Sequence, residues 1–354
     1  MNRRELNRAT LARQLLLERE RSGVADAVDR LGGLQAQEPR PPFVALWSRL
    51  QDFEREQLRT ALQDGSVVRA MLMRATLHLV SRERYAALRP ALDDAMTRAM
   101  TAALKGRDDG LDLEQLLPAA TALIKAQPRT FNELRGALSE RFPNVNERAL
   151  GYAVRTQLPL VMVPSDDTWG FPRDARFALP RGRLGKPDLR QLVLDYLAAF
   201  GPATAADAQR FTGVQGLKVV FEDLREQLVT FKDGRRELFD LPAAPRPGED
   251  AAAPPRFLAD FDSLVLGHDD RTRLIADEHK PKIASKNLRV PAMVLYDGFA
   301  AGTWRIEKRR GIATLTVTAF AKLPRAAAKA LEPEALALAA FAEPGAKSHA
   351  FELA

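Results

Sequence analysis

Two stretches in the middle of the chain repeat one order of apolar and polar positions. In the later stretch, Leu189, Leu192, Val193, Tyr196, Leu197 and Phe200 recur at helical spacing, and Gly201-Pro202 stops that helix. Thr204 then caps a second helix, with Asp207 three residues on to return the capping bond. Gly213 and Gly216 interrupt it, and a third helix follows through Val220 and Leu224. Leu228-Val229-Thr230-Phe231 alternates as a strand, Lys232-Asp233-Gly234-Arg235 is a tight turn, and Glu237-Leu238-Phe239 returns. Three helices followed by a basic hairpin predict a winged helix.

The earlier copy lies about seventy residues upstream. Leu116, Leu117, Ala120, Leu123 and Ile124 form its first helix, followed by Pro128; Thr130 and Glu133 make the same capping box. A third helix runs from Asn146 to Gln157, after which Leu160–Val163 is expected to pair with Thr168–Phe171 across Ser165-Asp166-Asp167. The copies end alike, in Phe177-Ala178-Leu179-Pro180 and Phe239-Asp240-Leu241-Pro242. Residues 1–110 read as a looser third copy. Thr10 opens a helix through Leu11, Leu15 and Leu16, a short helix from Val24 to Leu31 ends at Gly32-Gly33, and another covers Glu54 to Leu62. Val67–Leu72 and Thr76–Val80 then read as strands.

Beyond a Pro/Ala linker at residues 243–256 the pattern changes to strands. Met293-Val294-Leu295 turns at Tyr296-Asp297-Gly298 into Thr303–Ile306, and Lys308–Gly311 leads on to Thr314–Val317. This meander predicts a small barrel or half-barrel, closed by a helix from roughly Pro333 to Ala342. The expected fold class is therefore α+β. Three tandem winged-helix units at 1–110, 111–182 and 187–242 precede an antiparallel β-domain at 256–354.

Charge narrows the partner. Lysine and arginine total 53 against 46 acidic residues, a net +7, which favours a polyanion. Cysteine is absent, which removes disulfides and thiolate chemistry, and four scattered histidines show no metal-ligand spacing. No apolar run approaches the ~18 residues that span a bilayer, and the first residues carry no secretory pattern. A cytoplasmic protein without metal or cofactor is expected.

The usual catalytic fingerprints are missing: the chain has no Walker loop, nucleophile elbow or dinucleotide fingerprint. What stands out is Gly32-Gly33-Leu34-Gln35-Ala36-Gln37-Glu38-Pro39. Gln35 and Gln37, spaced i, i+2 after a glycine break, project to one side of an extended segment. Alone, such a stretch reads as a polar loop. Glu38 turns to the opposite side and suits a surface or capping role. Trp47, Trp169 and Trp304 lie in apolar periodic segments and read as core.

Several separated motifs in one order resemble the AlkZ/YcaQ-like winged-helix DNA glycosylases. They are Leu6–Leu17, Gly33–Gln37, Arg74–Val80, Phe261–Arg271, Asp297-Gly298 and Gly302–Arg305. The resemblance implies winged helices and a β-domain wrapped in a concave shape around duplex DNA, acting as a monomer in a bacterial cytoplasm and nucleoid-associated when bound. It marks Gln35 and Gln37 as a catalytic Gln-x-Gln pair, where YcaQ-type relatives carry Gln-x-Asp. An amide only orients water and exchanges hydrogen bonds, so the pair suits purines alkylated at N7 or N3, whose positive charge already activates the leaving group. Such substrates include crosslinks made by bifunctional alkylators.

Arg74, Thr76 and His78 share one face of a predicted strand and are candidate phosphate contacts, with a structural histidine the equal alternative for His78. Within His268-Asp269-Asp270-Arg271, residues His268, Asp270 and Arg271 either line the DNA cleft or form a buried network that anchors the β-domain. Lys232, Arg235 and Arg236 on the last hairpin are either a groove probe or a solvated turn. A non-enzymatic regulator and a catalytically silent damage sensor are the competing functions.

Overall fold

Asn2 sets the first helix, its side chain accepting from the Arg4 and Glu5 amides while Glu5 reaches back to the Asn2 amide. In this computed structural model, which describes residues 1–283 and 289–354, helix α1 therefore spans Arg3–Arg13. The start expected at Thr10 is too late: that residue lies inside the helix and turns its hydroxyl to the Leu6 carbonyl. Helix α2 (Val24–Arg30) runs into Gly32 and Gly33, at φ 74° and 86°. At Gly33 a Cβ would also stand 3.0 Å from Val80, so only glycine fits the turn. The turn releases strand β1 (Leu34–Gln35), followed by α3 (Pro41–Trp47), α4 (Arg55–Gln63), the hairpin of β2 (Val67–Met71) and β3 (Leu77–Ser81), α5 (Arg82–Ala91) and α6 (Asp93–Leu104).

The middle set comprises α7 (Leu113–Ala126), β4 (Arg129–Thr130), α8 (Phe131–Arg141), α9 (Glu147–Gln157), β5 (Val161–Met162) and β6 (Arg176–Ala178). Thr130 and Glu133 close their capping box in both directions. The expected pairing with Thr168–Phe171 does not form; β5 pairs with β6 instead. Residues 165–170 close on themselves, Ser165 donating to the Gly170 carbonyl and Gly170 to that of Asp167. Trp169 is drawn out of strand geometry to meet Phe43 edge-on at 5.1 Å beneath the Arg55 guanidinium.

In the third set, α10 (Leu189–Phe200), α11 (Ala205–Thr212) and α12 (Leu217–Asp223) precede a hairpin of β7 (Val229–Asp233) and β8 (Arg236–Asp240). The Thr204–Asp207 box is formed, and Gly213 and Gly216 are both left-handed, as the breaks require. The remaining elements are β9 (Arg256–Leu258), α13 (Ser263–Leu266), α14 (Lys280–Ile283), β10 (Met293–Tyr296), β11 (Phe299–Arg309), β12 (Ile312–Ala319), α15 (Arg325–Ala342) and β13 (Ser348–Leu353).

Strands β1, β3, β2, β5, β6 and β4, in that order, make one sheet shared by the first and middle sets. A second, ordered β13-β12-β11-β10-β9, is open at β13 and β9 rather than rolled into a barrel. Its β13 is parallel to β12, because α15 supplies the long crossover that a parallel neighbour needs. That helix begins before Pro333, which was expected to start it. Pro333 is exposed, so water can donate to the carbonyl that its missing N–H leaves unbonded, while Ala327, Leu331, Ala335, Leu338 and Ala339 keep a buried stripe. The middle set has its own core around Leu116, Leu134 and Leu150. The third set instead packs continuously onto β2, β3, α5 and α6. Among the described residues no helix is long and apolar enough to cross a membrane.

Candidate active site

Strand β1 is only two residues long, pairing Leu34 with Leu79 and Gln35 with His78. The Ala36 amide still donates to Leu77, at 2.7 Å, and then the chain leaves the sheet through Gln37, Glu38 and Pro39. Gln35 is 8% exposed, and its Oε1 accepts from Arg74 Nη2 at 2.8 Å. Gln37 is exposed, with its Oε1 on the Leu77 amide at 2.7 Å. A guanidinium and a backbone N–H can only donate, so each fixes its glutamine with the oxygen inward. What remains for a substrate is one lone pair and two N–H donors on each amide.

Gln35 opens into a cavity of about 630 Å³ walled by Arg74 and Thr76, by Gln209 and Arg210 of α11, and by Phe261, Arg271 and Arg289. Gln37 stays at the exposed segment outside the lining. Arg74 also donates to the Phe211 carbonyl and lies 5.0 Å over that ring. Its backbone and that of Ala75 are left-handed, at φ 55° and 53°, a strained pair in a turn that aims the guanidinium at Gln35. Burial, with help from Arg210 and Arg271, pushes the Arg74 guanidinium down to about 10, so it is still charged at neutral pH. Among the described lining residues there is no carboxylate. Thr76 is at the wall, but its hydroxyl is turned to the Met73 carbonyl. Glu38 is exposed and pairs with Arg289 at 3.2 Å, as a surface residue should.

His78 is a correction to the expected DNA contacts. It is wholly buried, with Nδ1 donating to the Thr76 carbonyl at 3.0 Å and Nε2 unpartnered among the described residues. From there it reaches no phosphate. Burial and the nearby Arg74 charge push it down to about 3, so it is neutral. The cluster at 268–271 divides. His268 is 3% exposed and donates from Nε2 to the Phe200 carbonyl at 2.8 Å, so it belongs to the buried network and not to the cleft. Burial pushes it down to about 3, aided by Arg273. Burial would raise the neighbouring Asp207 carboxyl, but His268 where it is protonated, Thr204 and Arg273 together hold it below its ordinary value. Asp270 caps Thr272 and pairs with Arg236 at 2.7 Å, so neither projects freely. Arg236 is held by Asp233 as well. Arg271 alone of the cluster walls the cavity. Lys232 and Arg235 are exposed on the β7–β8 hairpin, outside that lining.

Two buried neutral histidines fix a pH response. Their folded values lie below the ordinary 6.5, so the unfolded chain takes up protons first as pH falls. The stability they confer is full above about 6.5 and is lost towards about 3, some 2 kcal/mol for each by pH 5. Urea midpoints at pH 7.5 and pH 5 are expected to differ accordingly, and His78→Gln should shrink the difference; equal midpoints would contradict the assignment.

Gln209, Arg210, Phe261 and Arg289 were not singled out in the sequence. The helix carrying Gln209 and Arg210 was legible, whereas Phe261 and Arg289 lie between named elements, and the direction of each side chain depends on how the third set and the C-terminal part meet the first.

Comparisons with known proteins bear on the family and the fold. A model of the family described as DNA glycosylase AlkZ-like matches residues 28–341. A relative from Streptomyces sahachiroi, described as an interstrand DNA cross-link repair glycosylase, is 26% identical, with 92% of each chain covered. The solved structure of Streptomyces sahachiroi DNA glycosylase AlkZ is similar with a TM-score of 0.83 over 100% of both chains, at 22% identity.

Proposed function

The chain belongs to the AlkZ-like DNA glycosylase family, and from that membership we propose that it hydrolyses the N-glycosidic bond of cationic purines alkylated at N7 or N3 in duplex DNA. The observation that carries this reading is the polar part of the cavity wall beside Gln35: amides, guanidinium groups and the Thr76 hydroxyl, with no carboxylate among the described residues. A neutral damaged base needs an acid to protonate it as it leaves. A purine carrying a formal positive charge does not. Its C1′–N9 bond breaks with the electron pair going to the base, which departs neutral, and water adds to C1′ while a proton passes to solvent. The protein has only to place that water and tolerate an oxocarbenium-like sugar. Arg74 holds Gln35 rigid for that purpose, and Gln37 stands where the segment faces outward.

The same reading takes the three helical sets as winged helices, at 1–110, 111–182 and 187–242, presenting a concave basic surface to the duplex ahead of the β-domain at 256–354. Arg74, Arg210 and Arg271 would meet backbone phosphates, which carry no sequence information but fix register. The protein would work as a monomer. The relative's description extends the substrate class to interstrand crosslinks joined through alkylated purines.

Incubation with a duplex carrying N7-methylguanine, followed by alkali, is expected to give strand breaks at the lesion and none at 8-oxoguanine. Binding without breaks would make the protein a damage sensor. Binding confined to one undamaged sequence would make it a regulator.

A further inference from the structure

Arg69 lies on β2 and is 4% exposed, yet no carboxylate pairs with it among the described residues. Buried arginines ordinarily have an acidic partner, because an uncompensated charge away from water is unfavourable. Here Arg13 has Asp240 and Arg49 has Asp262. Arg69 instead donates from Nε to the Ala36 carbonyl at 2.9 Å and from Nη2 to the Gln37 carbonyl at 3.1 Å. These are the carbonyls freed where the chain peels away from β3: the Ala36 amide is the last to bond that strand. Buried backbone carbonyls need donors. One planar fork supplies both, and it reaches them from the far side of β3, since β2 and β1 flank that strand.

The guanidinium is capped by Phe171, 4.9 Å away and 5% exposed, from the turn that displaced the expected hairpin of the middle set. Burial lowers the Arg69 guanidinium to about 10, which leaves it protonated at neutral pH. It touches neither the cavity nor either glutamine side chain.

We propose that Arg69 is a positioning residue for base excision: its two bonds, to the Ala36 and Gln37 carbonyls, fix the backbone on both sides of the Gln37 Cα, and Phe171 seals that clamp from the middle set. The proposal rests on the glycosylase reading above. It assigns the middle set a second task besides DNA contact, namely holding the amide pair at a set spacing. A loosened segment would still bind duplex, because the cavity arginines are elsewhere, but would present its glutamines in many arrangements. Misplacement of about 1 Å in such groups is enough to slow a reaction on the order of 100-fold.

The test compares single-turnover release of N7-methylguanine with duplex affinity in R69M, R69K and F171A. R69M keeps the apolar stem and removes all donors. Its release is expected to fall on the order of 100-fold with affinity within about twofold of the unaltered protein, and amide exchange should quicken at residues 35–38 alone. R69K, with one donor group in place of a fork, should recover part of the rate, and F171A should lose a smaller factor than R69M. Should R69M not fold, R69K and F171A carry the same comparison. Unchanged release in a folded R69M, or equal losses of release and affinity, would overturn the proposal. An unaltered protein that releases no base overturns the glycosylase reading instead, while faster exchange at 35–38 in R69M would still report the clamp.

Discussion

Gln37→Ala is expected to slow release of N7-methylguanine from duplex DNA by at least about 100-fold, the size of effect seen when one fixed hydrogen-bonding group is removed from a reacting centre. The side chain is exposed and, among the described residues, bonds the Leu77 amide alone, which solvent can satisfy after truncation. Folding stability should therefore be nearly unchanged, and the loss should lie in the chemical step. Gln35→Ala should be as severe but is harder to interpret. It strips Arg74 of one acceptor in a part-buried site and so disturbs the cavity wall as well. Single-turnover release, read with thermal unfolding of the same samples, separates these effects. Release by Gln37→Ala within about threefold of the unaltered protein would remove that residue from the machinery.

The largest effect on stability is expected from Asp262→Ala. Asp262 and Arg49 are both without exposed side-chain surface and form a two-pronged pair at 2.8 and 2.9 Å. Asp262 also caps α13 through the Leu264 amide, and Arg49 spans to the Gln14 and Ala45 carbonyls. Truncating the carboxylate leaves a buried guanidinium without a counter-charge, which costs about 3–5 kcal/mol. Replacing both partners by apolar residues, as in R49M with D262L, should cost less than the single change, since no orphaned charge remains. Urea midpoints for the three proteins check the ordering. A single variant no less stable than the double would show that water reaches the site.

Local rules carried much of the architecture. Both capping boxes named from side-chain spacing are closed by hydrogen bonds, and the breaks at Gly32, Gly33, Gly213 and Gly216 fall at left-handed positions. Those features depend on neighbours in the chain, so a single sequence displays them. The strand partner of β5 was not legible, because Thr168–Phe171 alternates as well as Arg176–Ala178 does and only the docking of Trp169 on Phe43 decides between them. Strand β13 escaped notice because its partner is parallel and lies across α15. At the site, the glycine turn and the glutamine pair stood out as residues, but the cavity did not, since Arg74, Arg210 and Arg271 come from three distant stretches. The one missed signal was within reach. Val67, Arg69 and Met71 share a face of β2, and an arginine between two buried apolar residues asks for a partner.

Helix α1 bears on how the protein is made. Arg4 and Arg8 reach Asp297, Asn7 donates to the Arg273 and Gly298 carbonyls, Arg13 pairs with Asp240, and Leu11 sits in a core with Leu258 and Met293. Helix α1 thus finds its partners on α10, at Asp240 and between residues 251 and 298, all far along the chain. Contacts so far apart in sequence close late and slowly. The segment must wait while those partners are made, and a stop codon ahead of Asp297 would leave Arg4 and Arg8 without their shared carboxylate.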